Sequence, residues 1–173
     1  IKYTQEFSSS FAYDDGSAES AYGINVTGAK GALEFKLNRP DTLRAVQFYF
    51  PQMLDSVSNL DFYLTVWNDN NGKPGDILYS KLESPRHSRN TKFQTILIDS
   101  FFQMSGTYYV GWIQTTDDLL NIGLDLDNNS NQYMFYNFNG TPLKNKGFGG
   151  RAAHPDAAAE EKEMKKGSKG YYK

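Results

Sequence analysis

Apolar and polar residues alternate with a period of two along much of the chain. In residues 60–67, Leu60, Phe62, Leu64 and Val66 fall on one face and Asp61, Tyr63 and Thr65 on the other, the pattern of a strand buried on one side. Residues 68–75 read Asn-Asp-Asn-Asn-Gly-Lys-Pro-Gly; Asn and Gly accept positive φ and Pro presets a turn, so the chain must reverse before residues 76–79. Residues 32–37 also alternate, and Arg39-Pro40-Asp41 is expected to stop them. Residues 43–50 place Val46, Phe48 and Phe50 on one face, with Pro51 as their end. Residues 91–99 set Phe93, Thr95 and Leu97 against Gln94, Ile96 and Ile98. Residues 107–114 are apolar on both faces and are predicted to be a central strand. Residues 119–126 and 132–138 complete the set, separated by a turn over residues 127–131. About eight or nine short strands with turn chemistry between them and no helical period predict an all-β fold, an antiparallel β-sandwich of jelly-roll type, with a closed barrel as the alternative. Its expected core is Phe48, Phe50, Phe62, Leu64, Val66, Phe93, Val110 and Trp112.

At 173 residues and 39% apolar content, one domain over residues 1–150 can bury a sufficient core, and folding requires no cofactor. Aromatic residues make up 15% of the chain, 12 Tyr and 12 Phe among them, which favours strands over helices. The composition changes after Gly150. Residues 151–173 carry 6 Lys+Arg against 4 Asp+Glu, reversing the sign of the preceding part, and Asp156 stands as an N-cap before a run of helix formers without an apolar stripe. This segment is expected to be a polar tail or linker, helical or disordered. The net charge of -2 supplies no basic field, which argues against nucleic acid and anionic membranes as partners. Cysteine is absent, removing disulfide, thiol and Cys-ligated zinc chemistry. No apolar run approaches the roughly 20 residues of a membrane-spanning helix. The first residue is Ile, so the chain reads as a processed protein or fragment.

Three segments in order, residues 11–23 with Asp14-Asp15-Gly16-Ser17-Ala18-Glu19, residues 67–80 (WNDNNGKPGDILYS) and residues 106–114 (GTYYVGWIQ) followed by Asn121-Ile122-Gly123-Leu124-Asp125, resemble a β-sandwich module of large secreted and cell-surface proteins of the Bacteroidota. The resemblance spans about residues 3–151, and such proteins commonly leave the cell through the type IX secretion system. It implies an extracellular, non-catalytic interaction or accessory module, structural or adhesive, within a longer exported chain. Its partners would be the other domains of that chain, or outer-membrane secretion components if it is held as cargo. The chain departs from the pattern near Pro142, where a Trp is expected, and after Gly147, where a further apolar strand is expected; no type IX sorting domain is present. Asp41-Thr42-Leu43 and Asp55-Ser56-Val57 are similar to the Asp-Ser/Thr-apolar sequon for O-glycosylation in that phylum, which makes Thr42 and Ser56 candidate glycan sites.

Enzyme chemistry finds little support. His87 lies in a basic loop expected to be exposed, and His154 in the tail, so a His-based triad is hard to assemble. Adjacent carboxylates such as Asp117 and Asp118 point to opposite faces if they lie on a strand. Calcium, which takes hard oxygen ligands, is the candidate cofactor, at Asp14, Asp15 and Glu19 and at Asp125 and Asp127. An EF-hand starting at Asp125 is rejected, because Ser130 replaces its Gly and Tyr136 its bidentate Glu. The competing reading has these acids cap turns. For a glycan, Trp67 would be the aromatic platform and Asp69, Asn70 and Asn71 the polar partners, which makes a carbohydrate-binding module attached to a secreted hydrolase the alternative function.

Overall fold

The structure is a computed structural model that describes residues 10–51, 60–87, 93–100, 103–128, 130–138 and 144–145. In chain order the strands are β1 (Ser20–Tyr22), β2 (Lys30–Thr42), β3 (Ala45–Phe48), β4 (Phe62–Asp69), β5 (Pro74–Glu83), β6 (Gln94–Leu97), β7 (Gln103–Gln114), β8 (Ile122–Leu124), β9 (Met134–Asn137) and β10 (Lys144–Asn145). A single 3-10 turn, Asn131–Tyr133, interrupts them among the described residues. The fold is all-β, and every pairing is antiparallel.

A 6-stranded sheet runs β10-β9-β2-β7-β4-β5. Opposite it lie the pairs β1–β8 and β3–β6. The Gly123 amide donates to the Tyr49 carbonyl at 2.8 Å, just past the end of β3, and joins these two pairs into one layer. Partners are nested: β1 with β8, β2 with β7, β3 with β6 and β4 with β5. Between the layers Phe62, Leu64, Val66, Tyr108, Val110 and Trp112 of the large sheet meet Phe48, Phe50, Ile96, Ile98, Leu120 and Ile122. Removing each such side chain from water contributes roughly 1.5–3 kcal/mol, which is where an all-β chain without staples finds its stability. Gly31 of β2 faces Trp112 of β7 across the ladder, and a Cβ there would lie 2.2 Å from the indole. Glycine is required because the ring occupies the space a side chain would need.

Strand β7 lies between β2 and β4, as its two apolar faces predict. Its second face belongs to a smaller cluster of Ala32, Trp67, Tyr109 and Phe135, with Ile113 packed against it. Tyr108 and Tyr109 therefore point to opposite sides and both are buried.

Several expectations are corrected. Strand β2 is not stopped at Arg39-Pro40-Asp41; it continues to Thr42, and the ladder to β7 shifts register between Leu37 and Asp41, an irregularity that accommodates a residue without an N–H. The inward face of β6 and its continuation is Ile96 and Ile98, while Leu97 is 68% exposed and Phe93 is only half-buried, tilted against Tyr49. Both faces of that segment offer apolar residues, so alternation alone could not choose between them. The strand expected over residues 119–126 shrinks to β8, and that over residues 132–138 to β9. Strands β1 and β10 were not singled out by pattern. The tail, residues 151–173, lies outside the described residues.

Candidate functional site

Asp15 and Glu19 precede β1, and Asp125 follows β8. Because β1 and β8 pair with Ser20 opposite Leu124, the segments flanking the two strands emerge side by side, although more than a hundred residues separate them in the chain. One carboxylate oxygen from each of Asp15, Glu19 and Asp125 lies within 4.8 Å of the others. The resemblance and the polar turn pointed to these acids as two groups, and the structure brings three of them into one. Asp14 and Asp127 stand outside it. Asp14 Oδ1 accepts the Gly16 amide at 3.0 Å, closing a turn in which Gly16 takes φ 94°, and Asp127 enters through its backbone N–H.

Each carboxylate of the cluster already accepts hydrogen bonds. Asp125 Oδ1 takes the amides of Asp127 (2.8 Å) and Asn128 (2.9 Å), and its Oδ2 takes Asn128 Nδ2 (2.7 Å) and the Asp15 amide (3.2 Å). Glu19 Oε2 accepts the Leu126 amide at 2.9 Å. The Ser17 hydroxyl lies 2.7 Å from both Asp15 Oδ1 and Glu19 Oε1. The Asn128 side chain and these backbone donors hold the Asp125 carboxyl below the usual carboxylate range. Tyr13 anchors the segment from the other side. Its ring stacks on Tyr133 (4.3 Å) and Phe35 (5.3 Å), and its hydroxyl donates to the Glu34 carbonyl at 2.7 Å. The donor set fits calcium in type, three exposed or half-exposed carboxylates with free lone pairs remaining, and the same atoms also serve as a hydrogen-bonded stitch between two loops.

The β4–β5 tip turns over Asn70 to Lys73, with the Asn70 amide donating to the Lys73 carbonyl at 2.8 Å and Asn71 and Gly72 at φ 56° and 76°. Trp67 is not an aromatic platform. It is 2% exposed, packed in the cluster on the outer face of the large sheet with Tyr109 opposite it across the ladder. An alternating pattern places Trp67 with Tyr63 and Thr65, and the error lay in treating that face as solvent. Asp69 is likewise committed to structure: its Oδ1 accepts the Tyr109 hydroxyl at 2.8 Å and the Gly72 amide at 3.1 Å. Burial, then the hydrogen bond to Asp69, raises the Tyr109 hydroxyl far above the ordinary range. Asn70 and Asn71 stay exposed at the tip, with Asn71 Nδ2 donating to Asn70 Oδ1 at 3.1 Å. The aromatic exposed on this face is Tyr63, beside Leu82 of β5.

Thr42 closes β2 with its amide on Asp41 Oδ1 at 2.7 Å and is half-buried; Ser56 lies outside the described residues. His87 is not a solvent-exposed loop residue. Both ring nitrogens are shut away from solvent, the ring edge meets Phe50 at 6.1 Å, and burial lowers its pKa. Gln114, unremarked in the sequence, is buried and sends its side-chain amide to the carbonyls of Ile24, Thr116 and Asp118, which fixes the loop leading to β8. Among the described residues no helix is long and apolar enough to cross a membrane. Comparison with protein-family models, with curated proteins and with solved structures gives no match.

Proposed function

We propose that this chain is a non-catalytic module of an exported cell-surface or secreted protein, with a structural or adhesive role and with the type IX route as its means of export. The observation that carries this reading is where the signature segments lie. Asp15 of the first stitches to Asp125 and Glu19 to the Leu126 amide, Trp67 of the second is packed against the sheet, and Tyr108, Tyr109, Val110 and Trp112 of the third fill both faces of the central strand. Residues that identify the module are spent on its frame, as in a scaffold that presents loops and edges to varied partners. Nested partners, with the large sheet reading β2-β7-β4-β5 and the other layer β1-β8 and β3-β6, support a jelly-roll connectivity. A structural calcium at Asp15, Glu19 and Asp125 belongs to the proposal, holding two loops that carry converging negative charge.

Location is tested by treating intact cells of the source organism with a protease. Loss of the module-bearing chain while periplasmic markers survive is the expected result, and its retention overturns the reading. The carbohydrate reading has lost its platform with the burial of Trp67. A glycan array probes what remains of it, using Asn70→Ala/Asn71→Ala as the control, since Trp67→Ala would report on folding.

A further inference from the structure

Gln114 closes β7 with its side chain turned inward, 2% exposed. Its backbone is clamped to the β1–β2 loop: the Gly28 amide donates to its carbonyl and its own amide donates to the Ala29 carbonyl, both at 2.8 Å. The side-chain Nε2 reaches the Ile24 carbonyl of that loop and, at 2.8 Å each, the carbonyls of Thr116 and Asp118 in the turn that follows β7. A primary amide carries only two hydrogens, so three acceptors crowd one donor group, while Oε1 of the same buried side chain has no partner. The Thr116 hydroxyl is buried without one as well. Buried polar atoms normally find partners, and two orphaned oxygens on residues of this knot leave it richer in acceptors than in donors.

We propose that this knot is a calcium site, formed by the main-chain carbonyls of Ile24, Thr116 and Asp118 and by Gln114 Oε1. The two ends of the amide have the same shape, and turning it over puts Oε1 where Nε2 stands, 2.8 Å from the Thr116 and Asp118 oxygens. Oxygens bound to one calcium stand roughly 3 Å from one another, so the carbonyls need move little to take the ion. Backbone and amide carbonyls are ligands that calcium accepts, the Thr116 hydroxyl is a further oxygen in the same turn, and water completes the shell. Magnesium, smaller and slow to shed its water, suits such a cage poorly. Asp117 and Asp118, exposed in the turn, supply negative charge that the neutral carbonyls lack. The site follows β1 and precedes β8, whereas Asp15 and Glu19 precede β1 and Asp125 follows β8, so neither set of ligands depends on the other. Bound here, the ion ties the β1–β2 loop to the turn that leads into β8.

Calcium titration of the isotope-labelled, chelator-treated full chain, followed by two-dimensional amide NMR, tests the site. The Gln114 side-chain signals are identified by their absence from the spectrum of Gln114→Glu. They should shift together with the backbone amides of Asn25, Asp117 and Leu119, which share peptide bonds with the three carbonyls, at a dissociation constant of about 10⁻⁴–10⁻³ M, the range of extracellular calcium modules. The same shifts should persist in Asp15→Asn/Glu19→Gln/Asp125→Asn, so that failure of the acidic trio to bind and failure of this site read separately. Gln114→Glu sets a carboxylate against the same carbonyls. Its melting temperature should fall in chelator and recover with calcium, which it should bind about tenfold tighter or more because the ligand set gains a charge. The proposal is overturned if the Gln114 signals stay unmoved up to about 10 mM calcium, beyond that range. It is equally overturned if sodium or magnesium at equal ionic strength moves them as far, or if the wild-type signals stay unmoved and Gln114→Glu gains nothing from calcium, the amide then being a hydrogen-bond donor alone.

Discussion

Gly31 of β2 makes room for the Trp112 ring of β7, and the residue scale supplies the sharpest expectations about stability. Gly31→Ala places a methyl group against three ring atoms of a buried indole, the nearest at 2.2 Å, with no flexible end to give way. Overpacking of this kind costs about 1–3 kcal/mol, so urea unfolding should show a lower midpoint with an unchanged slope. Trp67→Ala should cost more, about 3–5 kcal/mol, because it empties a site packed against Tyr109 and Ala32; calorimetry would read it as a large loss of melting temperature. His87 sets a pH dependence. Its pKa is lowered in the folded chain by burial, so the unfolded chain takes up the proton first as pH falls. Stability contributed by the neutral ring is complete above about pH 6.5 and declines below it. The carboxyls of Asp99, held down mainly by the Tyr79 hydroxyl, and of Asp125, held down mainly by Asn128, act in a more acidic window. Their contribution is present above the ordinary carboxylate range and disappears as pH falls through their depressed values. Melting curves should fall in two separated steps, and His87→Phe should remove only the one nearer neutrality.

At the scale of elements, the loop pair around β1 and β8 is where metal and hydrogen bonding compete. If calcium binds at Asp15, Glu19 and Asp125, a concentration one hundred times its dissociation constant adds about 2.7 kcal/mol, which for a chain of this size raises the melting temperature by roughly 5–10 °C over chelator-treated protein. An unchanged melting temperature assigns the three acids to the stitch alone. In that event Asp125→Asn should still lower the melting temperature by about 2–4 °C, since it weakens bonds to Asp127, Asn128 and Asp15. Much of the element order was legible beforehand. Period-two alternation located β2, β3 and β4 and the core on one face of β4, an apolar run on both faces located β7, and Asn-Gly marked the β4–β5 tip. The misreadings share a cause. Alternation says which residues lie together but not which side is covered, so Trp67 was placed on the correct face and that face was taken for solvent. Phe93 was chosen over Ile96 and Ile98 for the same reason. The union of Asp15 and Glu19 with Asp125 could not be read at all, because it depends on which distant strands pair, and a short strand such as β1 carries too few residues to show its partner.

At the scale of the molecule, nested pairing makes most of the sheet depend on remote parts of the chain. Among the described residues β4–β5 and β9–β10 pair strands consecutive in the chain; β2–β7 and β1–β8 close long loops around β4–β5. Stopped-flow refolding should therefore take milliseconds to seconds, the range of all-β chains dominated by non-local contacts. Native-state hydrogen exchange should be slowest in the middle of β4 and β7, where both neighbouring strands are in place. Ser20 finds its partner in Leu124, so a chain delivered from its N-terminus, by a ribosome or through a pore, cannot complete its outer layer until β8 has emerged. At synthesis rates of about 5–20 residues per second that interval is roughly 5–20 s. During it the second layer stays open over the large sheet, and the arrival of one short strand, β8, acts as the latch that shuts it.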